Sequence, residues 1–324
     1  APLRDRLEVI RIAGYTSEEK VQIAWRYLLP KAFAEHGLTE ADAKFSDESL
    51  TFIATRYSRE AGLRNFERQV SAVLRKRARA KAEGDESAWD VTPAMVEELL
   101  GVPPFTPEET EVEPEVGVVT GLAWTPNGGE LMLIEALRMP GSGRLTVTGQ
   151  LGDVMRESVD AAYSYVRSRA RVLDIADEDF RDADLHIHFP AGAIPKDGPS
   201  AGLAVTLAIA SVLSGRRIRR DLAMTGEVTL RGKALEIGGL KEKVLAAYRA
   251  GLREVILPAG NAKDVRDIPA EVRDGMRFTY VRSMDEVLEI ALLPQAEPGL
   301  ADAPPVQDEA QVDLPFGERV VSPR

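Results

Sequence analysis

The distribution of apolar positions divides the chain into two structured parts, joined and followed by polar segments. From Ala1 to about Gly101, apolar residues recur mainly at the spacing of amphipathic helices. Thr16-Ser17-Glu18-Glu19 carries a capping signal, and Ile23, Ala24, Tyr27 and Leu28 continue the apolar stripe of the helix it opens. Leu50 to Tyr57 and Asn65 to Lys76 read as two more helices, and Thr92-Pro93 opens the last one before Gly101. Residues 102–116 are rich in proline and acid and read as a linker. From 117 to 294, strand-like and helical segments alternate, which predicts a mixed α/β domain. Within it Val255-Ile256-Leu257 is a strand of the buried type, and Met284 to Leu293 a closing helix. Residues 295–324 return to proline and acid and are expected to be disordered.

One junction in the second part is chemically distinctive. A strand-like run, Leu185-His186-Ile187-His188-Phe189, leads into Pro195-Lys196-Asp197-Gly198-Pro199-Ser200-Ala201-Gly202 and then into the apolar run Leu203 to Leu213. The order is strand, Gly/Pro loop, buried helix. Ser200 stands where that helix begins, among N–H groups that lack intrahelical partners and carry partial positive charge. Such donors can steady an oxyanion beside a hydroxyl nucleophile. A helix cap alone would also account for a serine there.

A serine nucleophile needs a base. The chain has only three histidines: His36 lies in the helical part, and His186 and His188 share one face of a strand by its period of two. The placement of His186 and His188 as strand residues speaks against a His-based triad, and the absence of a His-x-x-x-His spacing speaks against a metal site. Lysine fits better. In Ile237-Gly238-Gly239-Leu240-Lys241-Glu242-Lys243-Val244-Leu245-Ala246-Ala247, a helix follows the glycines. With Leu240, Val244 and Ala247 turned inward, Lys243 lies at the edge of the apolar face, Lys241 points further round and Glu242 faces away. A lysine drawn toward an apolar interior loses its charge more easily and can serve as a general base. A surface lysine that merely lays its stem on the protein is the plainer reading. The segment Met224 to Lys233 reads as a hairpin, and its Thr225 could hold a lysine amine.

These blocks together resemble the signature of the Lon proteases, ATP-dependent serine endopeptidases with a Ser–Lys dyad. The resemblance covers the chain up to its tail. It implies that Ser200 is the nucleophile, Lys243 the base and Thr225 a support for the lysine, with Asp197 in the loop beside the nucleophile. Val119-Thr120-Gly121-Leu122-Ala123-Trp124-Thr125 and Gly128-Gly129-Glu130-Leu131 to Glu135 resemble the opening of the Lon protease domain, which would put Trp124 and Glu135 near the substrate cleft. Gly62-Leu63-Arg64 resembles the sensor-2 turn of AAA+ ATPases, whose arginine reaches nucleotide phosphates, and Arg6 matches the place of an arginine finger. Both could equally be surface arginines. The implied fold is a Lon-type α/β protease domain preceded by an all-α AAA+ small subdomain. The resemblance also implies unfolded or misfolded proteins as substrates, a homo-hexameric ring, and ATP with Mg²⁺ as cofactors of the full-length enzyme.

The rest of the composition narrows the picture. No G-x-x-x-x-G-K-[ST] loop occurs, so the chain is expected to be a C-terminal fragment that does not hydrolyse ATP alone, while peptide cleavage needs no cofactor. The absence of cysteine removes disulfide and thiol chemistry. No apolar run approaches a membrane span, and the start of the chain does not read as a signal peptide, so a cytoplasmic location is expected. The net charge of −11 argues against general nucleic-acid affinity. The basic run Arg216-Arg217-Ile218-Arg219-Arg220 reads as a solvated helix exit or a subunit contact rather than a DNA site. Two other readings remain: a phosphate-binding enzyme resembling small-molecule kinases, since a Gly/Ser loop before a helix suits phosphate, and a non-catalytic interaction module.

Overall fold

Helix α1 (Ser17–Ile23) starts where its capping residues put it. The Thr16 hydroxyl accepts the Glu19 N–H, and the Glu19 carboxylate accepts the Thr16 N–H. The apolar stripe expected to run on through Tyr27 is interrupted. Residues 24–28 form a π-helical turn before α2 (Leu29–Glu35), in which Leu29 N–H bonds back to Ala24 C=O. Pro30 supplies the cause, because it has no N–H to continue the regular ladder. The wider turn re-aims the side chains that follow it. Ala24 and Leu29 are buried, whereas Tyr27 is 57% exposed.

The computed structural model describes residues 14–58, 60, 62–105, 113–125, 128–190 and 196–295. Arg6 and the tail from 296 onward lie outside the described residues. The helical unit continues through β1 (Ala43–Phe45), α3 (Asp47–Arg56), α4 (Arg64–Ala82), β2 (Trp89–Val91) and α5 (Pro93–Leu100). Helix α4 is longer at its C-terminal end than its periodicity predicts. Ser46 caps α3 and Thr92 caps α5, and Gly101 closes α5 at φ +86°. Leu50, Ile53, Phe66, Val70, Val73 and Leu74 are buried at its centre. This part is not all-helical, because β1 and β2 pair in parallel, Ala43 against Trp89. Arg77, 1% exposed, ties that pair down. Its guanidinium donates to the carbonyls of Asp42, Asp85 and Ser87 and stacks on Trp89.

The second unit runs β3 (Glu115–Val116), β4 (Val118–Thr125), β5 (Gly128–Pro140), β6 (Leu145–Thr148), α6 (Asp153–Ser168), α7 (Glu178–Arg181), β7 (Ala183–His188) and α8 (Gly202–Ser214). It continues with β8 (Arg217–Ile218), β9 (Leu222–Met224), β10 (Glu227–Val228), β11 (Ala234–Leu235), α9 (Leu240–Arg249), β12 (Glu254–Pro258), α10 (Ala270–Asp274), β13 (Arg277–Val281) and α11 (Met284–Ala291). Seven strands form one mixed sheet in the order β13-β12-β9-β4-β5-β7-β6, with β5 antiparallel to both its neighbours. Side-chain alternation sends Val119, Met132 and Ile134 to a face packed by α6 and α8, and Leu122, Val255 and Leu257 to a face packed by α9. Helix α8 is buried on nearly every side, as its composition predicts, and ends at Gly215 in the left-handed conformation.

Three local readings differ. Met224 to Lys233 is not one hairpin: Met224 closes β9 in the main sheet, and the small antiparallel pair β10–β11 follows. The end of the segment read as a linker is structured, since Glu115 and Val116 pair with Ile218 and Arg217. The basic run is not a free patch. Arg216 donates to the carbonyls of Leu292 and Leu293, Arg219 pairs with Asp221 and Glu254, and buried Arg220 pairs with Glu115. These three side chains are engaged within the domain, whereas Arg217 is exposed. No helix among the described residues is long and apolar enough to cross a membrane.

Candidate active site

The site assembles from three segments that sequence separates widely. The first is the short 3-10 turn Pro199–Ala201 at the mouth of α8, which presents a half-buried Ser200. Its loop is zipped to the start of α6: Lys196 N–H bonds Gln150 C=O, and Gly152 N–H bonds Lys196 C=O. Asp197 does not turn toward the serine. Its carboxylate accepts the Met155 and Gly198 N–H groups, so it caps α6 from outside the helix. Gly152, which offers no side-chain cap, leaves the room: a Cβ there would fall 2.4 Å from the Asp197 carboxyl carbon.

The second segment is Thr225-Gly226, where the chain leaves β9. Gly226 N–H donates to Ser200 C=O, and Leu203 N–H to Gly226 C=O. Two glycines allow this contact, since a Cβ at Gly202 would meet Val228 N at 2.8 Å and one at Gly226 would meet Leu203 at 2.4 Å. Thr225 is fully buried, and its hydroxyl donates to Ser200 C=O at 3.3 Å.

The third is the first turn of α9. Leu240, Val244 and Ala247 face the core, as the helical period predicts, and Lys243 is 3% exposed. Its amine donates to Ser200 Oγ at 2.9 Å and to Thr225 Oγ1 at 3.1 Å. Burial pushes the Lys243 pKa down from 10.5 to about 8. The Thr225 proton is committed to an acceptor-only carbonyl, so its lone pairs face the lysine. Once neutral, the amine keeps a lone pair for the serine proton. Lys241 and Glu242 are only partly covered.

The remaining candidates occupy other places. Trp124 is 57% exposed and lies against Gly239, the residue that opens α9. Glu135 is six residues along β5 from Gly129, roughly 20 Å by strand rise, in register with His188. His186 and His188 both contact the Thr148 hydroxyl, at 2.9 and 2.7 Å, and so belong to the sheet. Arg64 is the exposed first residue of α4. No cluster of metal-ligating side chains occurs among the described residues. Sequence reasoning missed the capping role of Asp197 and the packing role of Gly202 and Gly226. A glycine beside a reactive serine or threonine is the signal for such close backbone approach.

Comparison with known proteins defines the class first. Residues 90–294 match the model of the Lon protease (S16) C-terminal proteolytic domain, and residues 34–89 that of the Lon protease AAA+ ATPase lid domain. The chain is 51% identical over 292 residues to a Lon protease of Desulforamulus reducens, a match covering 90% of this chain and 36% of that protein. It is 53% identical over 291 residues to a Lon protease of Desulfosudis oleivorans, with the same coverage of each. To a Lon protease of Aquifex aeolicus it is 50% identical over 298 residues, 92% of this chain and 37% of that protein. The chain belongs to the Lon protease family. It spans somewhat more than a third of the length of these relatives.

Proposed function

We propose that this chain hydrolyses peptide bonds, with Ser200 as nucleophile and Lys243 as general base. The observation that carries the reading is the buried lysine amine 2.9 Å from the serine hydroxyl. In the first half-reaction Ser200 Oγ attacks the carbonyl carbon and its proton passes to neutral Lys243. The resulting ammonium protonates the leaving amine as the C–N bond breaks, and water then hydrolyses the acyl ester by the same route. The hydrogen bond of the 3-10 turn uses Gly202 N–H on Pro199 C=O. The N–H groups of Ser200 and Ala201 precede it, at the positive end of a buried helix where an oxyanion would form. The contacts favour this over phosphate binding, since the amine is already engaged by two hydroxyls. Replacing Ser200 by alanine and measuring hydrolysis of an unstructured reporter peptide tests the assignment, and appreciable residual turnover would overturn it.

The finer parts of the reading rest on family membership and on sequence. Unfolded or misfolded proteins are the proposed substrates. ATP and Mg²⁺ are proposed cofactors of the longer protein, with Arg64 and Arg6 as nucleotide-related residues. Because the chain has no G-x-x-x-x-G-K-[ST] loop, it should cleave peptides without ATP and should not hydrolyse ATP alone. Trp124 and Glu135 are kept as substrate-cleft candidates, and a cytoplasmic location and a homo-hexameric ring as proposals. Sedimentation across a concentration series tests the assembly, and a strict monomer with full activity would defeat it.

A further inference from the structure

Helix α9 delivers Lys243 to Ser200, so whatever seats that helix sets the reach of the amine. The seat is the β4–β5 hairpin. Trp124 and Gly129 are cross-strand partners in it, and both abut the start of α9. Gly239 opens α9 at φ +67°, and a Cβ there would fall 2.9 Å from Trp124 Cδ1. The contact at Gly129 is tighter still. A Cβ on it would lie 1.9 Å from Glu242 O and 2.8 Å from Lys243 N. Backbone fills that space, so no change of rotamer makes room. At the other end of α9, Arg249 Nη2 donates to Gly129 C=O at 3.0 Å. Side chains on a helix lean toward its N-terminus, and the guanidinium accordingly runs back along α9 to the residue on which the first turn rests. One strand residue thereby holds both ends of the helix.

We propose that Gly129 and Arg249 are positioning residues for Lys243, setting the distance between its amine and Ser200 through the seat of α9. The inference rests on the proposed dyad for its catalytic meaning. A methyl group at position 129 has to displace α9 or β5 by about 1.5 Å to reach ordinary contact, and a misplacement of even about 1 Å costs on the order of 10²-fold in rate. The dyad contact at 2.9 Å has little slack before it leaves hydrogen-bonding range. Among the described residues the amine meets the hydroxyls of Ser200 and Thr225, and burial lowers its pKa, so displacement toward water raises that value.

The test compares Gly129→Ala, Arg249→Met and Arg249→Lys with the unaltered chain. It uses peptide hydrolysis from pH 6 to 10, a thermal melt, and direct titration of the Lys243 amine by NMR with ¹⁵Nζ-labelled lysine. Folded Gly129→Ala should lose on the order of 10²-fold in kcat with KM little changed. The midpoints of its pH–rate profile and of its amine titration should both move upward. Arg249→Met should move both in the same direction by less, and Arg249→Lys should restore part of the loss. A purely structural role lowers the melting temperature and leaves the midpoint in place. Wild-type kcat and an unmoved midpoint in folded Gly129→Ala, or in Arg249→Met if the first variant does not fold, would overturn the proposal. The two readings fail separately: activity retained by Ser200→Ala sinks the dyad alone, whereas an unmoved Lys243 titration sinks the seat alone.

Discussion

Lys20 in the helical unit and Lys243 in the protease domain are both buried, and burial pushes both pKa values down to about 8. By titration alone they are indistinguishable. Their partners differ. The Lys20 amine donates at 2.6 Å to the Glu60 carbonyl, an oxygen with no proton to give, so a lone pair there has nothing to accept. Lys243 meets two hydroxyls, one of them on a serine at a helix mouth. A lowered pKa makes a lysine available as a base, and in the proposed dyad a proton donor on a reactive atom gives Lys243 that role.

The largest effects should fall on the dyad. Ser200→Ala is expected to reduce peptide hydrolysis by about 10⁴-fold or more, since nucleophile removal in serine enzymes has that scale. The melting temperature should barely move, because a half-buried hydroxyl carries little packing. Lys243→Arg should be as inactive as Lys243→Ala, because a guanidinium stays protonated at usable pH. Lys20→Met, the matching change in the other region, should keep hydrolysis within about threefold. A large loss of peptide hydrolysis in folded Lys20→Met would break the contrast.

The pH dependence sharpens it. Only the neutral amine accepts a proton, so hydrolysis should be low at pH 6 and rise through about pH 8. That rise should persist in Lys20→Met. Stability behaves differently, because both lysines contribute. Each has a folded pKa below the unfolded value of 10.5, so the unfolded chain binds more protons between about pH 8 and 10.5. Stability from these groups should therefore increase with pH across that window, by up to about 3 kcal/mol for each lysine. Chemical denaturation at pH 7 and 9.5 checks the direction, and removing either lysine should flatten the rise.

Smaller effects should follow around the site. Thr225→Val removes the hydroxyl that holds the amine and should lower kcat by roughly 10- to 100-fold while the fold persists. Lys241→Ala, two positions from the base on the same helix, should stay within about threefold, since its side chain is only partly covered. If Lys241 proved essential and Lys243 dispensable, the assignment of the helix face would be wrong.

What could be read from the chain itself was local or periodic. Thr16, Thr92 and Gly101 mark helix ends by side chains or conformations that act within a turn, and the apolar run after Ser200 predicts a buried helix without knowledge of its partners. Lys243 emerged because the helical period alone separates it from Lys241. The parts that were hidden depend on contacts between distant segments. The parallel β1–β2 pair joins strands more than forty residues apart, and Arg77 looks like any surface arginine until three carbonyls converge on it. The Arg216–Arg220 run was hidden for the same reason, because charge in sequence does not reveal that Arg216, Arg219 and Arg220 are held within the domain while Arg217 stays exposed.

In the proposed dyad Lys243, unlike Lys20, activates Ser200. A serine-reactive peptidyl phosphonate, followed by mass spectrometry as a function of pH, tests it most directly. Modification is expected at Ser200, with a rate that rises through about pH 8, is abolished by Lys243→Arg and is unchanged in Lys20→Met. Modification of another residue, or of Ser200 at an undiminished rate in Lys243→Arg, would contradict it.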